Sequence, residues 1–525
     1  MSSRWRFVFY LWILLFTSIT AFWIFKNNLP PFWDEAHYLT GAQMLFQTLN
    51  EQGIFSFLAK TTTILGTKAP LITILPIPLY LIFGSSYHVA VTLNIVFALM
   101  FFVFFIKLVS LLFDEGTAFI SCLVISTMPL FYGLSRYFLV EFGLTAFVVA
   151  WIFFAFKTEQ LKNKKYLFFV GITSGLGMMM KFHFFLFITG PATILIYEVW
   201  RKNKKAIFNL KNLLIFSVPA LVITLPWYAR NILTVLWKAK RSTDTSLLGS
   251  LYYGSSFSAS NLYRSALDFI NYGMSAYWFV ISLTLIILFY FQRKRLKLNS
   301  TLLGWFLIPF IIFYLGPNKD YRLMLPLLPV VAIFISRLIT ILFPKRLLVI
   351  LVLTMIFPVL VFLNTAVFAA KLINKELAIG PLILADKQIG NYVKASNSQK
   401  WPVSETLTYI SNDNKNGVRK IVISASENEA YNINTLQYYA LLAKLPLEIH
   451  TVSYFPKNTN YFEIQAAFDK GDYMIMKTGG VTGPKDLNVF NETLLNNIDS
   501  NTWKEMPNEI KLPDGGKITI WKKVS

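Results

Sequence analysis

Cysteine is nearly absent: Cys122 is the only one in 525 residues. That excludes a disulfide framework and any cysteine-based metal site, and its place in an apolar run reads as a small buried hydrophobe. Histidine is almost as scarce, with His37, His88, His183 and His450 alone, and these form no short zinc-ligand spacing. Neither an HExxH pair nor a glycine-rich phosphate loop occurs. No cofactor or metal is therefore indicated, although acidic and histidine side chains gathering a divalent metal in space stay open. Charge is the third shortage. Charged residues make up 14% of the chain, against about a quarter in soluble domains. What replaces them is apolar surface, 55% hydrophobic and 17% aromatic, in an amount that requires lipid.

Acidic residues are the scarcer sign, 27 against 49 basic, for a formal charge of +22. A basic balance can mean nucleic acid, but Lys and Arg lie between apolar runs and form no single basic face, so topology explains the charge better. The scarcity is also uneven. The first 370 residues hold 11 of the 27 acidic residues, and the composition beyond Lys371 is that of an ordinary soluble domain. The expected organisation is a transmembrane domain over 1–370 and a soluble α/β domain over 371–525.

A helix needs about 20 largely apolar residues to cross a bilayer. Eleven runs qualify, near 6–25, 87–112, 117–134, 137–156, 166–180, 182–200, 212–229, 275–291, 300–316, 322–342 and 347–369. The first follows Arg4 and Arg6, is long and bulky, and lacks a small-residue cleavage site, so it reads as an uncleaved span. With the amino terminus inside, the basic clusters at 157–165, 201–205, 293–297 and 345–346 all fall in the cytoplasm. The tail then lies outside the cytoplasmic membrane. The run 69–84 is short and carries Pro70, Pro76 and Pro78. Counting it as a span would invert every later loop, so it reads as a re-entrant or interfacial element.

This topology leaves a polar set on the outer side. PPFWDEAHY, residues 30–38, places Asp34 and Glu35 at the membrane surface with His37 and Tyr38 beside them. A partly dehydrated carboxylate there suits a general base, whereas the plain alternative is a solvated loop edge. Lys68 suits either a phosphate contact or a snorkelling amine. Arg136 and Glu141, in SRYFLVEFG, suit either a polar site or mutual neutralisation. Lys181 and His183 interrupt GLGMMMKFHFF, either as a hairpin apex or as groups facing the same polar site. Lys319, Tyr321 and Arg322, in KDYR, include bases on the wrong side for topology alone, which phosphate capture would explain.

In order along the chain, FWDEAHYLTGAQ, TKAPLITILPIPLYLIFG, SRYFLVEFGLTAF, GLGMMMKFHFF, LPWYARN and KDYRLMLPLLPVVAI resemble the C-type (GT-C) membrane glycosyltransferases. The resemblance is to the protein O-mannosyltransferases and the lipid A aminoarabinose transferase in particular, and covers residues 30 to about 335. Beside the polytopic α-helical domain of about eleven transmembrane helices read above, it implies juxtamembrane elements in the first outer loop. It also implies a polyprenyl-phosphate sugar donor and a lipid, glycan or protein acceptor, with membrane lipids as the surroundings. Asp34 matches the catalytic acidic residue, with Glu35 beside it, and Glu141 stands where relatives carry a second acidic residue, often Asp. Lys68, Lys319 and Arg322 match basic residues associated with the donor phosphate or the outer end of a late span.

The expected reaction is direct displacement with inversion, outside the cytoplasmic (inner) membrane. A transporter or flippase is the main alternative, but the chain shows no internal repeat and its polar set gathers on one side. In the tail, 418–424, 447–452 and 472–477 read as strands, INTLQYYALLAK as a helix and PDGG as a hairpin turn before KITIWKKV. Its Asn-rich segments read as solvated loops.

Overall fold

The computed structural model describes residues 3–242, 258–293, 299–414, 417–453, 460–481, 483, 488 and 498–524. The chain divides into two compact units. One comprises Met1–Phe25, Leu58–Pro76 and His88–Ser396; the other comprises Lys26–Phe57, Ile77–Tyr87 and Asn397–Ser525.

The first unit is helical and built from the apolar runs. Among the described residues, seven helices of the chain are long and apolar enough to cross a membrane, or eight if one bent pair counts as a single span. They include Arg6–Lys26, Val140–Lys157, Phe184–Lys202, Tyr321–Leu342 and Leu347–Ala366. The other expected runs form shorter or broken helices, so the count of spans is approximate. The run at 117–134 is cut into helices Glu115–Ser126 and Pro129–Leu134. Met128 is extended there, as a residue before proline tends to be, and Pro129 opens the next helix. Ser300–Leu315 has 16 residues and Lys164–Met180 has 17, at the short end of what crosses a bilayer and nearly as long as the 18-residue Val140–Lys157. The run near 69–84 forms two short helices, Leu71–Ile74 and Ile77–Phe83, separated at Pro76, in keeping with a path that does not span.

A bent pair, Ala259–Met274 and Ala276–Phe291, turns through 97°. The last turn before the bend, Phe269–Met274, is π-helical, and Ser275 takes φ 79°. Asn271 in that turn donates to the Pro381 carbonyl at 3.0 Å and accepts from the Ile383 amide at 3.1 Å. These bonds hold the hairpin of β1 (Leu377–Ile379) and β2 (Leu382–Ala385) against it.

The second unit carries a sheet built from β3 (Lys420–Ser424), β4 (Leu447–Thr451), β5 (Tyr473–Thr478), β6 (Trp503–Glu505), β7 (Ile510–Lys511) and β8 (Lys517–Lys523). The order is β4-β3-β5-β8-β6, with β7 also on β8; β3 is parallel to β4 and β5, and β8 runs antiparallel. Alternation along the strands gives each face its own core. Val422, Ile475, Ile518 and Ile520 pack with the helices Val403–Asp413 and Ile433–Leu442. Ile423, Met474 and Met476 pack with Phe468 and Trp503. The expected strands, helix and PDGG hairpin are all present within a residue or two.

Helices Phe184–Lys202 and Ser300–Leu315 approach so closely at Gly190 that an added Cβ would stand 2.1 Å from the Gly304 carbonyl oxygen. Small residues permit such contacts between membrane helices. Gly190→Ala forces the two backbones apart, and an apparent destabilisation of about 1–3 kcal/mol is expected in thermal unfolding of the detergent-solubilised protein.

Candidate active site

The sequence-predicted site residues fall in both units. Asp34, Glu35, His37 and Tyr38 belong to the second, and Lys68, Arg136, Glu141, Lys181, His183, Lys319, Tyr321 and Arg322 to the first.

In the second unit, Pro30 and Pro31 delay the helix until Trp33, so that Asp34 and Glu35 lie in the first turn of Trp33–Thr61. Carboxylates favour that end of a helix dipole. The pair is not equivalent. Glu35 is fully buried, and its Oε2 accepts from the Phe32 amide at 3.4 Å, the reach-back half of a capping box. Its negative charge also adds to the burial that pushes the Tyr439 hydroxyl up to about 12. Asp34 is half-buried, as is His37, while Tyr38 is buried. Around this turn, Trp33 donates its indole N–H to Glu427 at 3.4 Å, and Thr435 donates its hydroxyl to the Pro31 carbonyl at 2.7 Å. Asn28 donates its amide to the Asn397 carbonyl at 2.6 Å, and Lys444 pairs with Glu51 at 2.8 Å. The stretch Lys26–Phe57 of the first outer loop is thus part of the same folded unit as the sheet.

In the first unit, an ion-pair chain joins three elements. Glu141 stands in the first turn of Val140–Lys157 and is 1% exposed. Its Oε1 lies 2.7 Å from the Lys181 amine and 3.5 Å from the Arg322 guanidinium. Arg322 Nε lies 2.8 Å from Asp320, whose carboxylate also accepts from the Tyr392 hydroxyl at 3.1 Å. Asp320 caps the 3-10 turn Tyr321–Leu327 through the Arg322 amide, which places the KDYR segment. The Tyr321 hydroxyl accepts from the Asn391 amide at 2.7 Å. Lys319 is buried and donates to the Tyr314 carbonyl, and that burial lowers its pKa. His183 precedes the helix Phe184–Lys202 and lies beside Phe313.

Arg136 takes no part in the chain and does not pair with Glu141. Its guanidinium is buried against the rings of Tyr132, Phe362 and Trp23, at 5.0, 5.6 and 5.5 Å. Cation–π attraction of about 2 kcal/mol or more at a desolvated site offsets part of that burial. Lys68 is placed by other contacts. Its segment is fastened to the helix Leu210–Ser242 by Asn231 donating to the Thr62 carbonyl and Lys238 donating to Thr67, at 2.8 and 2.9 Å. Among the described residues, no three His, Cys, Asp or Glu side chains gather as a metal site.

Sequence reasoning passed over Tyr392, Lys238 and Glu427. Asn231, within LPWYARN, gave the one local hint of the second; Tyr392 and Glu427 lie in polar stretches with no pattern of their own.

Residues 67–229 match the family model of dolichyl-phosphate-mannose–protein mannosyltransferases. No curated protein matches the sequence. Among solved structures, the fold is similar to ArnT from Cupriavidus metallidurans in the apo state, at 12% identity and TM-score 0.58, covering 97% of each chain. The same protein bound to undecaprenyl phosphate gives 12% identity and TM-score 0.57 over 97% of this chain and 98% of that one. The Archaeoglobus fulgidus oligosaccharyltransferase in the apo form gives 12% identity and TM-score 0.48, over 89% of this chain and 69% of that one. The chain is therefore a multi-pass membrane protein with a fold like that of ArnT. Residues 67–229 are thus similar in sequence to mannosyltransferases that use a dolichyl-phosphate-linked sugar.

Removing one member of a buried ion pair strands the other, at a cost of about 3–5 kcal/mol. Glu141→Ala is expected to destabilise the protein on that scale in thermal unfolding. Glu141→Leu combined with Lys181→Met is expected to recover most of the loss, because neither charge is then left unpaired.

Proposed function

We propose that the chain transfers a sugar from a polyprenyl-phosphate donor to a lipid, glycan or protein acceptor, with inversion, on the extracytoplasmic side of the cytoplasmic membrane. The observation that carries this reading is the match of residues 67–229 to mannosyltransferases that use a dolichyl-phosphate sugar. The fold shared with a protein seen bound to undecaprenyl phosphate supports the donor class. Helix polarity supports the side: Glu141 begins and Lys157 ends one helix, and another follows His183 and ends at Arg201 and Lys202. The basic ends take the cytoplasmic side.

Asp34 acts as the base. It takes the proton of the acceptor hydroxyl as that oxygen bonds to the anomeric carbon, and the bond from that carbon to the donor phosphate oxygen breaks. Glu35 holds the turn that carries Asp34. Lys68 binds the donor phosphate, and Lys319 and Arg322 supply positive potential to the departing phosphate. Glu141 holds Lys181 and Arg322 in place.

Two variants test the assignment in membranes supplied with a labelled polyprenyl-phosphate sugar. Asp34→Asn is expected to reduce transfer by about 100-fold or more; undiminished transfer by folded protein removes Asp34 as the base. Lys68→Ala is expected to raise the donor KM by about 10-fold or more, the loss of one charge-assisted contact, and an unchanged KM counts against the phosphate role.

A further inference from the structure

One fully buried carboxylate has no part in the scheme above. Glu427 lies between β3 and the helix Ile433–Leu442. In open sheets with parallel strands, the segment after a strand's carboxyl end is where ligands bind. Here that segment is rich in asparagine, and the asparagines are structural rather than solvated. Asn428 Oδ1 accepts from the amides of Ala430 and Tyr431 at 3.1 and 2.9 Å, and Asn432 caps the following helix through the Thr435 amide at 3.0 Å. Both side chains are buried. The Glu427 backbone is clamped on both sides by the Asn488 amide group, each bond 2.9 Å.

A residue held this firmly presents its carboxylate in a fixed direction. Oε1 accepts from the Ile433 amide at 3.2 Å, at the amino end of the helix, where a negative charge is favoured. Oε2 accepts from the Trp33 indole at 3.4 Å. The neighbouring Thr435 hydroxyl binds the Pro31 carbonyl. The carboxyl end of β3 is therefore occupied by Pro31 and Trp33, the residues immediately before Asp34.

We propose that Glu427 is the positioning residue for Asp34: by fixing the Trp33 indole it sets the orientation of the helical turn that presents Asp34 to the acceptor. This rests on Asp34 being the base of a transfer reaction. It gives the carboxy-terminal sheet a part in the reaction that a purely structural domain would not have. Glu427 touches no reacting atom, so its loss acts on turnover and leaves donor binding alone.

The test uses the full-length protein in nanodiscs with radiolabelled undecaprenyl-phosphate mannose and a membrane extract as acceptor source. Glu427→Gln and Trp33→Phe are each expected to lower kcat by about 10–100-fold, the scale of a small misplacement of a reacting group, with the donor KM within about twofold of wild type. The double variant is expected to be no slower than the worse single one, because both remove one contact. A second readout needs no turnover. In protein labelled with nitrogen-15 at tryptophan, the indole signal that Trp33→Phe deletes is expected to shift in Glu427→Gln. If Glu427→Gln fails to fold, Trp33→Phe carries the kinetic test. Wild-type rates in the single variants, multiplicative losses in the double, or a raised donor KM in their place overturn the positioning role while transfer itself stands. An absence of transfer by wild type, with the indole shift present, overturns the transfer reading and this role with it.

Discussion

A carboxylate removed from water needs cations or well-placed donors, and much of this protein is arranged around three that have almost none of their surface exposed. Glu141 meets the need with Lys181 and Arg322, Glu35 with the amide of Phe32, and Glu427 with the Ile433 amide and the Trp33 indole. Each solution ties together parts of the chain that no local propensity would bring together. Glu141 fixes the KDYR segment to a helix that begins nearly 180 residues earlier, and Glu427 fixes the first outer loop to a turn near residue 430. The same requirement explains Arg136, which lacks a carboxylate and is surrounded by aromatic faces.

The acidic pair after the first span shows how one such requirement separates two neighbouring residues. Glu35 is committed to capping, and the helix start it secures presents Asp34 at the half-buried position beside it. A base on a capped, tethered turn is better oriented than one on a free loop, and orientation is a large part of what an enzyme can contribute to a displacement. The cations follow a similar division. Lys181, Arg322 and Lys319 are held by protein groups, whereas Lys68 lies on a separately fastened segment.

Much of this was legible before the structure, because membrane spans are set by composition over long windows. The proline-broken run near 69–84 and the strands of the carboxy-terminal sheet were equally readable, since turn residues and alternation are local signals. The breaks and ends of the helices were not. A window average cannot see that Met128 is extended before Pro129, or that the helix at Ser300–Leu315 stops at 16 residues. Nor could spacing show that Glu141 reaches Lys181 and Arg322 while Arg136 turns to aromatic rings, because three-residue and five-residue offsets allow many partners. The Asn-rich turn looked solvated because asparagine is usually exposed, and only the buried network at Asn428 and Asn432 shows its structural use.

The proposed reaction breaks a covalent bond to a polyprenyl phosphate. The most direct measurement reconstitutes wild-type protein in liposomes holding an undecaprenyl-phosphate-linked sugar labelled in both sugar and lipid, adds acceptor extract, and follows the two labels by mass spectrometry. The account predicts that undecaprenyl monophosphate accumulates in step with sugar appearing on a new molecule. Movement of intact lipid-linked sugar across the bilayer, with both labels still joined, would contradict it.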